Sequence, residues 1–243
     1  MRILAIETSG SRCGVALAEE KQVIRASTFL HRMHLSERLL DEIDRLLQAA
    51  EMNKSDIEGI AVDVGPGSFT GLRIGVMTAK TLAFALKVPV AGISSFEALT
   101  QGIKLTSGAA IGCSIRAKRG WVYFQQYGVD EAEITPIGDA KLARDEEALQ
   151  ALLQAGNPAI SGRDTGSATR PVVLLGNGWP AFDELSGTLA MDRLVQLEGG
   201  EPPVEKLAMA AMRRFEAGRS DNLHALRPNY IAPPVTLSTT TAR

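Results

Sequence analysis

The first third of the chain begins with three short apolar runs, which are separated by polar, turn-forming residues such as those at 7–10. Runs of this length and spacing predict β-strands. From Ser36 onward, leucine and isoleucine recur every three or four residues, which is typical of an amphipathic helix. Apolar runs then alternate with helical segments. The predicted strands cover 2–7, 15–18, 23–29, 57–64 and 88–93, and the predicted helices cover 36–51, 70–87 and 95–104.

From about Ser107 the periodic signals are weaker, and no internal repeat of fixed period is visible. The pattern predicts strands over 109–115, 121–127 and 172–175, helices over 144–153 and 204–216, and a polar loop at 157–171. We therefore expect a first lobe at 1–106, a shorter second lobe at 107–232 and a disordered tail at 233–243.

The order of the predicted elements indicates a fold class. Three consecutive strands followed by strand–helix crossovers are the layout of a ribonuclease-H-like, or actin-like, lobe. We therefore predict an α/β protein with an actin-like two-lobe fold, in which mixed sheets are flanked by helices.

Composition narrows the classes of function. A chain of 243 residues is long enough for a well-buried core, and its formal net charge of −2 argues against a protein that wraps nucleic acid unaided. Cys13 and Cys113 form no metal or disulfide pattern, which favours a reducing compartment. The apolar N-terminus is too short for a signal peptide, and no apolar run approaches the length of a membrane span. We expect a cytoplasmic protein with no membrane partner.

The most informative motif spans residues 63–75, Asp-Val-Gly-Pro-Gly-Ser-Phe-Thr-Gly-Leu-Arg-Ile-Gly. It follows a predicted strand and opens a predicted helix, so its glycines and the helix N-terminus could hold an anion. A tight strand-to-helix corner without a ligand explains the same glycines. The motif is neither a P-loop nor a dinucleotide-binding fingerprint. The candidate anion-binding residues are Thr8, Ser9, Gly65, Gly67, Ser68 and Thr70.

Four segments together resemble the bacterial TsaB (YeaZ) family. They are Ile3 to Ser9, His34-Leu35-Ser36, Gly65 to Gly75, and Gly120-Trp121-Val122-Tyr123, with a fainter match at 226–230. The resemblance is strong over residues 1–100 and thinner beyond them. It implies the actin-like two-lobe fold predicted above.

The resemblance also implies a function. Members of the family serve as the non-catalytic dimerisation subunit in the synthesis of N6-threonylcarbamoyladenosine in tRNA. The implied partners are the catalytic transferase subunit TsaD and the ATPase subunit TsaE, with a homodimer when the chain is alone and only indirect contact with tRNA. The resemblance implies no cofactor of the chain's own, although ATP or ADP could sit at an interface of the assembled complex.

One position departs from the family pattern. Family members often carry Asp-Ala-Arg after the first strand of the second lobe, whereas this chain has Arg116-Ala117-Lys118-Arg119. A guanidinium cannot hold a cation, so any such role is lost here. The basic residues lie near Trp121 and Tyr123, which leaves two interpretations open, a solvated face or a contact with tRNA.

Carboxylates provide the main alternative to a non-catalytic role. Glu7, Glu37 and Asp63 fall roughly where ribonuclease-H-like nucleases hold two magnesium ions, so a two-metal site is conceivable. Each residue also has a local structural reason for its position, and we favour this structural interpretation over a metal site. The His-x-x-x-His pair that binds metal in the catalytic paralogue is missing, and we assign His31, His34 and His224 to packing or to the surface. We therefore expect no catalytic residues, and an actin-like phosphotransferase or glycoprotease-related hydrolase remains the alternative.

The helix predicted over 70–87 is apolar on almost every side, and only Arg73, Lys80 and Lys87 form a narrow polar stripe. One flank covers the sheet of its own lobe. The surplus apolar surface is buried either by the second lobe or by a protein partner, and the helix-mediated pairing that the family resemblance implies favours the partner. On the neighbouring helix, one face carries the apolar residues Leu35, Leu39, Leu40, Ile43, Leu46, Leu47 and Ala50. The predicted partner interface consists of Leu39, Ile43, Leu46, Gly71, Ile74, Met77, Thr81 and Phe84.

Overall fold

The computed structural model describes residues 1–31, 34–131, 133–155, 171–179, 194–196 and 200–232. Nearly all of the predicted loop at 157–171, and the whole of the predicted tail at 233–243, lie outside the described residues.

The first sheet has five strands in the order β3-β2-β1-β4-β5. Strands β3, β2 and β1 pair in antiparallel fashion. Strands β1, β4 and β5 pair in parallel. The carboxyl ends of β1 and β4 therefore meet at one edge of the sheet. The strands are β1 (Arg2–Glu7), β2 (Arg12–Glu19), β3 (Gln22–Leu30), β4 (Gly59–Gly65) and β5 (Val90–Ser94).

The second sheet repeats this topology, with the order β10-β9-β6-β7-β8 read from the opposite edge. Strands β8, β7 and β6 pair in antiparallel fashion, and β6, β9 and β10 pair in parallel. The repeat is one of topology, not of sequence, and for that reason the sequence shows no fixed period. The strands are β6 (Ala110–Lys118), β7 (Trp121–Asp130), β8 (Glu133–Arg144), β9 (Val172–Leu175) and β10 (Leu194–Gln196). Two repeated mixed sheets flanked by helices confirm the predicted actin-like fold class.

In the part of the chain that the structure describes, five α-helices cover the sheets: α1 (Leu35–Ala49), α2 (Phe69–Leu86), α3 (Ser95–Thr100), α4 (Asp145–Ala155) and α5 (Val204–Glu216). Helices α1 and α2 share one apolar core with one face of the first sheet. Helix α5 packs on the other face, where Val204, Leu207 and Met212 meet the small residues of β1, β2 and β5.

The packing of α5 changes the expected domain boundary. The expected second lobe at 107–232 includes α5, yet α5 lies on the first sheet and the segment after it continues along the first lobe. Asp221 donates its backbone N–H to the carbonyl of Val90 at 2.8 Å, and Asn229 donates to the carbonyl of Val64 at 2.7 Å. The first lobe is therefore completed by the C-terminal part of the described chain.

Three smaller predictions were wrong. Helix α3 ends at Thr100 instead of residue 104, and Gly102 follows it at a φ of +77°. Leu40 lies outside the apolar face of α1 and is 49% exposed. Strand β8 was missed because most of its residues are exposed and because it contains Pro136 and Gly138, so it lacks the alternation that marks a half-buried strand.

Helix α2 also corrects the expectation that no apolar run reaches the length of a membrane span. By length and composition alone, α2 is long enough and apolar enough to cross a membrane. Leu72, Val76, Ala79 and Ala83 of this helix are buried. Because Val76, Ala79 and Ala83 belong to the core shared with the first sheet, α2 forms one layer of the first lobe.

Candidate functional site

The informative motif begins at the carboxyl end of β4, beside the carboxyl end of β1. The parallel register pairs Ile6 with Val62, so Glu7 and Asp63 follow side by side, and both are buried. Glu7 Oε1 accepts hydrogen bonds from the backbone N–H and the hydroxyl of Ser9. Asp63 accepts from the N–H of Gly65 at 2.6 Å and from the hydroxyl of Ser95 at 2.7 Å. Each carboxyl group therefore accepts hydrogen bonds from the backbone at the carboxyl end of the strand that carries it.

Burial dominates the electrostatics of this pair. Loss of hydration raises the pKa of Glu7 well above its ordinary value, and the neighbouring Asp63 carboxylate raises it further. Burial likewise raises the pKa of Asp63 to about 6, although the hydrogen bonds from Gly65 and Ser95 oppose the shift. The pair is therefore less charged near neutral pH than two exposed carboxylates would be.

The third carboxylate of the two-metal alternative does not join this pair. Glu37 lies in the first turn of α1, where its side chain is 79% exposed and is 3.9 Å from His34. Within the described ranges, no group of three or more His, Cys, Asp or Glu residues is arranged to hold a metal ion. The structure thus brings together two of the three predicted carboxylates.

The glycines of the motif allow α2 to approach the end of β1 very closely. A Cβ atom on Gly71 would lie 2.0 Å from the carbonyl oxygen of Thr8, and one on Gly75 would lie 2.2 Å from the Thr8 hydroxyl oxygen. Thr8 Oγ1 donates to the carbonyl of Gly71 at 2.9 Å. A Cβ atom on Gly67 would lie 2.5 Å from the carbonyl oxygen of Ser9. Close packing of helix on strand thus accounts for three of the glycines.

The polar groups of the motif loop largely bond to one another. Ser68 donates its N–H to the carbonyl of Ser9 at 2.6 Å, and its hydroxyl accepts from the N–H of Gly71 as the N-cap of α2. Gly65 N–H is occupied by Asp63. Thr70 is exposed in the first turn of α2. This pattern favours the tight corner over a buried anion cradle at Gly65 and Ser68.

An open cleft of about 850 Å³ lies next to the motif, between the two sheets. The first lobe contributes Ser9 to Ser11 and Gly67 to Phe69 to its lining. The second lobe contributes Arg116 to Arg119, Tyr123 and Asn177. The motif and the basic segment, which are distant in sequence, therefore face the same space.

The basic segment is held by its own lobe. Arg116 donates its backbone N–H to the Asn177 side chain at 2.9 Å. Trp121 stacks with two cations, Lys118 at 5.1 Å and Arg144 at 4.7 Å from its ring centre. Arg116, Lys118 and Arg119 are exposed at the cleft, a position that agrees both with a solvated face and with a contact with tRNA.

Two residues of the cleft escaped the sequence reasoning. Tyr230 stacks on Phe69 of the motif at 4.8 Å, and Glu201 accepts from the backbone of the β1–β2 turn. Both partners lie more than 150 residues away in sequence. The faint family match at 226–230 was the only available signal for Tyr230, and Glu201 had none.

The three histidines are not grouped. His31 Nδ1 lies 3.2 Å from the carbonyl oxygen of Gly10 at the cleft. His34 precedes α1 and is exposed. His224 uses its carbonyl to accept from Lys80 Nζ at 3.1 Å. Their positions agree with packing and surface roles.

The predicted partner-interface residues divide into two groups. Met77, Thr81 and Phe84 lie on the outer side of α2, where Met77 is 64% and Phe84 70% exposed, and Ile74 is half-buried. Gly71 is buried against Thr8. The α1 residues Leu39, Ile43 and Leu46 are buried in the core of the first lobe, so they present no surface to a partner.

Comparisons with known proteins agree with these features. The family model described as "TsaD: tRNA N6-adenosine threonylcarbamoyltransferase" matches residues 29–242. The tRNA threonylcarbamoyladenosine biosynthesis protein TsaB of Escherichia coli is 30% identical, and the match covers 95% of this chain and 94% of that protein. The solved structure of YeaZ from Pseudomonas aeruginosa superposes with a TM-score of 0.71 at 25% identity, covering 94% of this chain and 99% of that one.

A transferase matches over a much shorter stretch. The tRNA N6-adenosine threonylcarbamoyltransferase of Geotalea uraniireducens is 33% identical, but the match covers 40% of this chain and 33% of that enzyme. Because the matches to the TsaB and YeaZ chains are nearly full-length, whereas the transferase matches over a third of its length, the chain belongs to the TsaB (YeaZ) family.

Proposed function

We propose that this chain is a non-catalytic dimerisation subunit in the synthesis of N6-threonylcarbamoyladenosine, a modified adenosine next to the anticodon of tRNA. It pairs with the catalytic TsaD subunit and supports its activity. The name of the Escherichia coli relative, a tRNA threonylcarbamoyladenosine biosynthesis protein, supports the pathway.

The observation that carries the pairing role is the outer surface of the α1–α2 layer. Met77 and Phe84 on α2 and Leu40 on α1 are each between 49% and 70% exposed, although all three are large and apolar. Exposed apolar residues that collect on one layer are typical of a surface that a protein partner covers. Met77 also suits an adaptable contact, because its side chain is flexible and polarisable.

The carboxylates support the non-catalytic part of the proposal. A general acid or a metal ligand has to reach the substrate. Glu7 and Asp63 are buried and bonded to Ser9, Gly65 and Ser95, and neither lines the cleft. Their contacts explain them as structural groups.

The same surface of α2 serves two partners in this proposal. Alone, the chain forms a homodimer through it, and TsaD replaces the second copy in the complex. TsaE joins the assembly, ATP or ADP binds at an interface between subunits, and contact with tRNA is made through the complex as a whole.

Co-purification with TsaD tests this function. Phe84→Asp places a charge on the exposed apolar surface, and we expect at least a tenfold loss of TsaD binding and loss of threonylcarbamoyl transfer by the mixture. Ile137→Asp is the matched control, because Ile137 is 52% exposed on β8 of the second lobe. The control should bind as the unmodified chain does.

Unchanged binding of the Phe84→Asp chain would place the partner surface elsewhere. Threonylcarbamoyl transfer, ATP hydrolysis or RNA cleavage by the isolated chain, lost in a folded Glu7→Gln variant, would contradict the non-catalytic role.

A further inference from the structure

Three oxygen atoms surround the hydroxyl of Ser95, which has a single proton to donate. The hydroxyl oxygen lies 2.7 Å and 2.9 Å from the two carboxyl oxygens of Asp63, and 2.8 Å from the carbonyl oxygen of Pro66. All three residues are buried, and a buried acceptor without a donor is costly. One hydroxyl proton therefore cannot serve both the carboxyl group of Asp63 and the carbonyl of Pro66.

The protonation state of Asp63 decides which acceptor Ser95 serves. A protonated Asp63 donates from Oδ2 to Ser95, and Ser95 then donates to Pro66, so that every group is paired. An ionised Asp63 has no proton to give, and Ser95 donates to the carboxylate, because a hydrogen bond to a charged acceptor is the stronger one. The carbonyl of Pro66 is then left without a donor among the described residues.

No cation holds Asp63 in its ionised form. Across the described residues, no Lys, Arg or His nitrogen lies within 4.0 Å of a carboxyl oxygen of Asp63 or of its neighbour Glu7. Burial raises the pKa of Asp63 to about 6 and the pKa of Glu7 well above its ordinary value. Asp63 therefore takes up its proton at mildly acid pH instead of the more acid pH that an exposed aspartate requires.

The elements around this carboxyl pair carry further charged or titratable groups. They are Cys13 on β2, Arg73 on α2, Glu97 on α3, Glu201 before α5, Glu205, Lys206, Arg213 and Arg214 on α5, and Asp221 after α5. Arg214 is paired with Glu97 and with Asp221, at 3.6 Å in each case. The carboxylate of Glu201 raises the pKa of Glu7 further. These surroundings favour the protonated pair at mildly acid pH.

The Ser95 hydroxyl joins two parts of the structure. Pro66 belongs to the motif loop, and the residues after it, Gly67 to Phe69, line the cleft. Ser95 is the first residue of α3, whose Phe96 and Leu99 pack in one core with the second sheet. A hydrogen bond from Ser95 to Pro66 thus ties the motif loop to the helix on which the second sheet packs.

We infer that Asp63, Ser95 and the Pro66 carbonyl form a pH-sensitive clasp between the motif loop and α3. At mildly acid pH Asp63 carries its proton, Ser95 donates to Pro66, and the clasp is closed. At higher pH the proton has left to the solvent, Ser95 donates to the carboxylate, and the motif loop loses its bond to α3. The inference is independent of the proposed pairing function, because none of the three residues belongs to the exposed surface of α2.

Amide hydrogen exchange of the full chain, followed by NMR at about pH 5 and about pH 7.5, tests the clasp on both sides of the Asp63 pKa of about 6. The reporter is the N–H of Ser68, which is bonded to the carbonyl of Ser9. After correction for the intrinsic effect of pH on exchange, we expect its protection to fall about tenfold or more from the lower to the higher pH. The carbon-13 shift of the Asp63 carboxyl group should titrate over the same range.

Asp63→Asn is the decisive variant, because an amide group keeps the size of the side chain and donates to Ser95 at every pH. We expect it to keep the protection of the closed clasp at both pH values. Ser95→Ala removes the clasp and should show the lower protection at both. Asp41→Asn is the matched control, since Asp41 is exposed on α1 and its loss should leave the pH response unchanged. If Ser95→Ala does not fold, Asp63→Asn and its control decide the question alone.

Three results would overturn the inference. The first is an Asp63 carboxyl group that titrates near about 4, as an exposed aspartate does. The second is a pH response of Ser68 that persists in Asp63→Asn, whether or not Glu7→Gln abolishes it. The third is an equal loss of protection at Ile43, in the core of the first lobe, which would reduce the effect to a change in global stability.

Discussion

Glu7 and Asp63 show how two acidic residues can be structural at a place where sequence position suggests chemistry. Both lie at the ends of parallel strands, as a metal-binding pair would, yet each accepts hydrogen bonds from residues close to its own strand end. The sequence predicted their proximity only by comparison with the metal-binding positions of ribonuclease-H-like nucleases. It did not predict their burial, because the contact of Asp63 with Ser95 is not visible in any local pattern of residues.

The pair makes stability depend on pH. Since the folded state raises both pKa values, it binds more protons than the unfolded chain at mildly acid pH. The free energy of unfolding should therefore fall as the pH rises from about 4, the unfolded value, through the Asp63 pKa of about 6. We expect Glu7→Gln/Asp63→Asn to flatten this slope in urea unfolding curves recorded across that range.

Glu37→Gln is the control for the pH experiment, because its side chain is 79% exposed and should leave the slope unchanged. A double variant that keeps the slope of the unmodified chain would show that the pair titrates alike in both states.

At the scale of the element, helix α2 carries two different apolar surfaces on one cylinder. Val76 is buried in the core of the first lobe, whereas the next residue, Met77, is 64% exposed. The 100° step between neighbours explains this difference. Lys80 lies between the buried and the exposed apolar surfaces of α2. Its Nζ donates to the carbonyls of His224 and Leu226 at 3.1 and 2.9 Å.

Aspartate substitutions at these neighbouring positions should separate folding from association. Val76→Asp buries an unpaired carboxylate, and we expect a loss of about 3 kcal/mol or more in the free energy of unfolding. Met77→Asp should change it by less than about 1 kcal/mol and abolish self-association. Thermal melts and light scattering measure the two effects. If both variants unfold, α2 has no free surface, and if Met77→Asp still associates, the contact lies elsewhere.

The same helix shows why some elements could be predicted and others could not. The strands β1 and β4 and the helix α2 follow local patterns of residues, and their predicted bounds were close to those observed. The buried state of Leu39, Ile43 and Leu46 could not be separated from interface contact, because an apolar residue looks the same in either place. Glu201 binds a turn 190 residues away, and no local pattern reports such a contact.

At the scale of the whole molecule, the described residues form two sheets of one topology, but the chain does not divide cleanly between them. After the second sheet it returns to the first, where α5 covers the face opposite α1 and α2. Arg214 of α5 donates to the carbonyl of Gly92 at 2.7 Å, and Asp221 accepts from the N–H of Gly92 at 2.7 Å. The described C-terminal segment is thus a structural part of the first lobe.

This return predicts that residues 1–106 do not fold alone. Without α5 the fragment exposes the face of β1, β2 and β5 that Val204, Leu207 and Met212 cover. Burial of each such side chain contributes about 1.5–3 kcal/mol. The three contributions together are comparable to the free energy of unfolding of a small domain. We expect fragment 1–106 to melt without cooperativity and to bind a hydrophobic dye. A fusion of 1–106 to 200–232 through a flexible linker should melt cooperatively, and Leu207→Asp in that fusion should return it to the behaviour of the fragment. A cooperative melt of fragment 1–106 itself, at the temperature of the fusion, would show instead that the first lobe is complete without its C-terminal helix.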